Sequence, residues 1–190
     1  CAPTRSIIIT GMYQNSLRFH HMRAGGEGVD VSNEPTFPRE VRCFSELVRE
    51  AGYYCTNNYK EDYNFEPPES AWDESSREAH WQNRPDSSTP FFAVFNYVYS
   101  HEGSIHFSPE RHAEVTSRLT PEQRQGDGFH ISKFPAYYAG TVLARRQWAK
   151  YYELITGLDY WVKDRLQQLE DAGRAEDTIF IFTSEQGASF

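Results

Sequence analysis

From Arg145 to Ala172, apolar and aromatic residues recur every three or four positions: Trp148, Tyr151, Tyr152, Ile155, Leu158, Val162, Leu166 and Leu169. That spacing places them on one face of a long helix. The aromatic stripe reads as core packing, not as a cofactor box. Gly173 follows as a stop. Thr178 to Thr183 then reads Thr-Ile-Phe-Ile-Phe-Thr, apolar on both alternations. A strand with two apolar faces is covered on both sides, as in a parallel sheet. Helix, short turn and apolar strand make half of a βαβ unit. The chain is therefore expected to be α/β, with a mostly parallel sheet flanked by helices.

Phe91 to Tyr97 is a second run of the same doubly apolar kind, and Tyr53 to Asn57 is a shorter strand. Between them, residues 61–89 are polar and broken by Pro67, Pro68 and Pro85, a surface excursion of the kind that carries binding loops. Residues 102–135 read as irregular. Val41, Phe44, Leu47, Val48 and Ala51 mark a helix that Gly52 ends. Residues 3–12 suit a helix opened by Pro3 and closed by Gly11, although Ile7, Ile8 and Ile9 also fit a strand.

At 190 residues the chain is one domain, or most of one. With 13 Phe, 12 Tyr and 4 Trp it has too many core formers for disorder. A net charge of −8 without a basic stripe argues against nucleic acid as a partner. No apolar run approaches the ~20 residues of a membrane helix. Three cysteines build no disulfide framework, and Cys43 and Cys55 read as core residues. The chain opens on Cys1 and stops just after an apolar run, so we read it as an internal piece of a larger protein, with no compartment assigned.

In parallel sheets the site lies beyond the carboxyl ends of the strands. Lys60 follows the first strand, His101 the second, and Glu185 with Gln186 the third. A cation, an imidazole, a carboxylate and an amide are thus expected on one rim.

The start of the chain is Cys1-Ala2-Pro3-Thr4-Arg5, with Thr10-Gly11 closing the helix that follows. This resembles the signature Cys-x-Pro-x-Arg of the formylglycine-dependent sulfatases, members of the alkaline phosphatase superfamily. The segments around Lys60, around His101 and from Thr178 to Gly187 resemble later blocks of that family. The resemblance spans almost all of residues 1–190, read as a partial sulfatase catalytic domain. Thr-Gly-Met-Tyr, His-His-Met-Arg and Ser-Glu-Gln-Gly look closest to bacterial sulfatases related to heparan N-sulfatase.

The resemblance implies that a formylglycine-generating enzyme oxidises Cys1 to formylglycine, whose gem-diol attacks sulfur. It makes Cys1, Arg5, Lys60 and His101 catalytic, with Lys60 and His21 also binding substrate. Cys1, Glu185 and Gln186 would hold a divalent cation, Ca²⁺ or alternatively Mg²⁺, since hard oxygen ligands suit these ions. The substrate implied is a sulfated carbohydrate, and the family's compartments are periplasmic, secreted or lysosomal. Two departures stand out. Glu185 replaces the usual aspartate, and Lys60-Glu61-Asp62 replaces the frequent Lys-x-His, leaving His20 or His21 as a substitute histidine. A phosphodiesterase or phosphonate hydrolase of the same superfamily, or an inactive carbohydrate-binding relative, are the alternatives.

Overall fold

The computed structural model describes residues 1–22, 37–131, 134 and 136–185. They divide into two compact units. One holds the described residues up to Asn96 together with 183–185; the other holds those from Tyr97 to Phe182.

The first unit contains helices α1 (Ala2–Thr10), α2 (Gln14–Leu17) and α3 (Phe44–Glu50) and strands β1 (Tyr54–Asn58), β2 (Glu74–Ser75) and β3 (Phe91–Phe95). The sheet is parallel, in the order β2-β1-β3. Tyr54 stands opposite Phe91 and Asn58 opposite Phe95. The central strand buries Cys55, Thr56 and Asn57. Ile9 of α1 joins Cys43, Cys55, Tyr63, Ala71 and Trp72 in the core, with Phe44, Val48, Phe92 and Val94 packed against it. Of the three consecutive isoleucines only Ile9 is buried while Ile8 is exposed, the helical outcome of a run that also suited a strand.

The strand assignments need two corrections. Every residue of β3 is half-buried: Phe92 and Val94 pack on the core and Phe91 and Phe95 lie against Trp81 and His80, so both faces are covered, but only in part. Thr178–Thr183 forms no ladder among the described residues, and Ile179 and Ile181 are 89% and 76% exposed. An apolar alternation supplies propensity, but a strand also needs a partner for its N–H and C=O groups. The third strand is the polar β2, which has no propensity signal. Asp73 recruits it: its N–H donates to the Cys55 carbonyl at 2.8 Å, and its carboxylate accepts the Cys55 N–H at 2.7 Å. Arg49 donates to the other oxygen of the same carboxylate at 2.8 Å. The excursion 61–89 also contributes Tyr63, Ala71, Trp72, Ala79 and Trp81 to the interior, more than a surface loop would.

The second unit is built on α5 (Val142–Asp171) and on α4 (Pro109–Val115), which lies in a stretch expected to be irregular. Ser108 caps α4 by accepting the Arg111 N–H, and Pro109 opens it, a start signal that sits in the sequence. Thr141 caps α5, and Gly173 leaves it with φ 63°, where a left-handed residue is needed. Trp148 and Ala149 of α5 pack with Ile131, Phe134, Tyr138, Tyr151 and Tyr152, so the stripe is core as read.

Beside it Glu153, buried on α5, accepts from Arg124 at 3.1 Å and from the Gln125 N–H at 2.8 Å, with His112 Nε2 at 3.6 Å. Burial pushes the His112 imidazole below its ordinary value and outweighs the attraction of Glu153. The unfolded chain then takes up a proton that the folded chain refuses. Stability is expected to fall as pH drops through about 6.5 and to level off below the folded-state value. Thermal melts of the wild type and His112→Gln across this range check it. Parallel profiles would show that His112 is not the cause.

Candidate active site

Cys1 is the N-cap of α1 and is partly exposed. Ala2, Ser6 and Ile9, spaced four and three apart, turn inward and fix the helix on the core. Gly11 closes it with φ 67°, its N–H on the Ile7 carbonyl at 2.7 Å. The first-turn N–H groups of Ala2 and Thr4 have no partner within the helix, and this end carries its partial positive charge. Cys43 and Cys55 differ. Both are fully buried, and burial pushes their thiols up to about 12. A thiol so protonated is inert, so these two are packing residues, as read.

After β1 the chain turns through Asp62 and Asn64, with φ of 56° and 58°. Aspartate and asparagine are the non-glycine residues that best tolerate this left-handed region. The turn aims backbone carbonyls at α1. Arg5 Nε donates to the Glu61 carbonyl at 2.7 Å and Nη2 to that of Lys60, and Ser6 donates to that of Tyr63. The Arg5 guanidinium also lies over the Tyr63 ring, 5.9 Å from its centroid. Asn64 Nδ2 donates to the carbonyls of Phe19 at 2.9 Å and His21 at 2.6 Å, tying the double-histidine segment to the same turn.

Four charges meet there. Arg5 Nη1 is 3.6 Å from Glu185 Oε2, Lys60 Nζ is 3.7 Å from Glu185 Oε1, and Lys60 Nζ is 3.5 Å from Asp62 Oδ2. Arg5 stands one helical turn from Cys1, on the same face. Arg5, Lys60 and Glu185 are therefore brought together next to the helix that Cys1 opens. Asp62, its side chain only 3% exposed, is a member that sequence reasoning missed. The available signal was a carboxylate two positions from the lysine, but only the left-handed turn brings the two together.

Gln186 lies outside the described residues. His101 belongs to the second unit, where it is exposed and caps a short turn at Glu102–His106. Its Nδ1 accepts the Gly103 N–H at 3.1 Å, so the neutral ring carries its proton on Nε2. His20 is exposed and His21 half-buried, their rings edge to face at 5.8 Å.

No group of three His, Cys, Asp or Glu residues converges as a metal cage among the described residues. One buried oxygen, Glu185 Oε2, accepts no hydrogen bond although its acceptor capacity is intact. A hard carboxylate oxygen in that state fits a hard divalent cation.

The family model described as Sulfatase matches residues 54–190. The chain belongs to the sulfatase family. Its parallel sheet with flanking helices is this sulfatase domain's alkaline phosphatase-like architecture. The sulfatase chain is also 41% identical over 214 aligned residues to an ulvan-active sulfatase of Formosa agariphila. That alignment covers 98% of this chain and 36% of the relative, so the chain spans about a third of the relative's length. No solved structure matches it. No helix among the described residues is long and apolar enough to cross a membrane.

Proposed function

We propose that the protein containing this chain hydrolyses sulfate esters of a sulfated carbohydrate, with formylglycine made from Cys1 as nucleophile. The observation that carries the reading is the meeting of Arg5, Lys60 and Glu185 beside the N-terminal end of the helix that Cys1 caps. The name of the Formosa relative points to ulvan as the polymer to test first.

The chemistry follows from charge. A formylglycine-generating enzyme would replace the Cys1 thiol by an aldehyde, which hydrates to a gem-diol. One hydroxyl oxygen attacks sulfur while the bond from sulfur to the sugar oxygen breaks. His101 would give that oxygen its proton. The second hydroxyl then loses its proton, the carbon–oxygen bond to sulfate breaks, and the aldehyde returns. Free N–H groups at the start of α1, the Arg5 guanidinium and the Lys60 ammonium supply positive potential for the anionic sulfate and diol. His21 would add a substrate contact. Glu185, with Gln186 and the residue-1 oxygen, would hold Ca²⁺ or Mg²⁺, which supplies Lewis-acid polarisation and a lowered diol pKa.

The test uses the full-length protein and two substrates, a sugar sulfate and a nitrophenyl sulfate. His101→Ala is expected to cost about 10²–10⁴-fold in kcat/KM on the sugar sulfate. The loss on the nitrophenyl ester should be far smaller, since that group leaves without a proton. Lys60→Ala should slow both alike. Equal losses for His101→Ala remove it as the acid. Faster turnover of matched phosphate diesters than of sulfates would favour the phosphodiesterase reading.

A further inference from the structure

The proposed chemistry places two demands on Glu185 that compete. Its carboxylate is shared between Arg5 at 3.6 Å and Lys60 at 3.7 Å, yet the same group is the one described carboxylate proposed to hold the cation. A carboxylate that turns its charge to a divalent ion attracts a lysine less. Lys60 would then lose one of the two anions that hold it. The other is Asp62, 3.5 Å from Nζ, with a side chain 3% exposed against 25% for Lys60 and Glu185.

Asp62 is also built in rigidly. It sits in a left-handed turn, and the carbonyls of the preceding Lys60 and Glu61 are both hydrogen-bonded by Arg5. On the other side, Asn64 anchors the turn to the carbonyls of Phe19 and His21. A buried carboxylate on a pinned backbone makes a fixed electrostatic post, whereas a lysine on its four-carbon stem needs one.

We infer that Asp62 is a positioning residue for Lys60, holding its ammonium where sulfate binds once Glu185 is drawn to the cation. The inference rests on the sulfatase reading in two respects, giving Lys60 the sulfate as its partner and Glu185 the cation. Asp62 itself touches neither substrate nor nucleophile in this scheme.

The test is a double-mutant cycle in the full-length enzyme with Asp62→Asn and Lys60→Met. Asparagine keeps the volume and the left-handed backbone and removes only the charge. Two quantities are read, kcat/KM on a sulfate ester and the affinity for inorganic sulfate by calorimetry. Asp62→Asn is expected to cost about 10²-fold in kcat/KM, the scale of a group misplaced by an ångström, and to weaken sulfate binding. Added to Lys60→Met, it should change either quantity by no more than about 2-fold. A merely structural Asp62 would cost the same in both backgrounds, and that result overturns the inference while leaving the sulfatase reading intact. Full activity and sulfate binding in Lys60→Met alone would overturn it as well, by removing Lys60 from the sulfate site. Should Asp62→Asn fail to fold, Asp62→Glu keeps the charge and shifts it by one methylene. Its loss must likewise vanish in the Lys60→Met background for the inference to stand.

Discussion

Replacing Cys1 with alanine in the full-length enzyme is expected to remove turnover by about 10⁴-fold or more, the usual scale for loss of a covalent nucleophile. Folding should survive. Cys1 is a partly exposed N-cap with no side-chain capping hydrogen bond to α1, so the truncation opens no core cavity. The inward residues Ala2, Ser6 and Ile9 still hold the helix, and Gly11 still closes it. The same experiment reads the modification directly. The tryptic peptide ending at Arg5 should be lighter than its thiol form by about 18 Da, because CHO has replaced CH₂–SH. Serine at position 1 should not substitute. It offers one hydroxyl, so its sulfate ester has no second oxygen to expel sulfate. Full activity from protein whose Cys1 is an unmodified thiol would overturn the formylglycine mechanism.

Chelation of the full-length enzyme is expected to remove activity, and Ca²⁺ or Mg²⁺ to restore it. Glu185→Ala should match chelation with a loss of about 10²-fold or more, since a bound cation contributes several kcal/mol to stabilising developing charge. The arrangement adds a control. Glu185 is also the shared counter-charge of Arg5 and Lys60, so alanine leaves two partly buried cations facing each other. Glu185→Gln keeps an oxygen for the cation while weakening both ion pairs. If the metal role dominates, excess Ca²⁺ should recover more activity in glutamine than in alanine. Undiminished turnover after complete chelation would take the cation out of the scheme.

The charge cluster was legible from sequence in three of its four members. Arg5 came from the signature, and Lys60 and Glu185 came from the rule that strand ends carry the chemistry. Asp62 did not, because its approach to Lys60 is made by a left-handed turn, which no strand or helix period in the sequence signals. Asp73 was hidden for a related reason. A polar pair, Glu74-Ser75, carries no strand signal, and its place beside β1 comes from one carboxylate capping the Cys55 N–H.

Local chemistry decides what a local pattern can decide. Period and stops suffice for α3 and α5, because a helix satisfies its own backbone, whereas the three isoleucines of α1 left helix and strand both open. On a helix, the motif Cys-x-Pro-x-Arg places the Cys1 side chain and the Arg5 guanidinium one turn apart on one face. Sheet membership is different, because a strand's hydrogen bonds lie on another segment. Thr178–Thr183 has every mark of a strand yet has no ladder among the described residues, while Glu74–Ser75 has none of the marks and is in one. The pairing of Lys60 with two carboxylates is likewise a tertiary fact. It depends on where a turn after β1 and a segment more than a hundred residues later come to rest, and no spacing in the sequence encodes that distance.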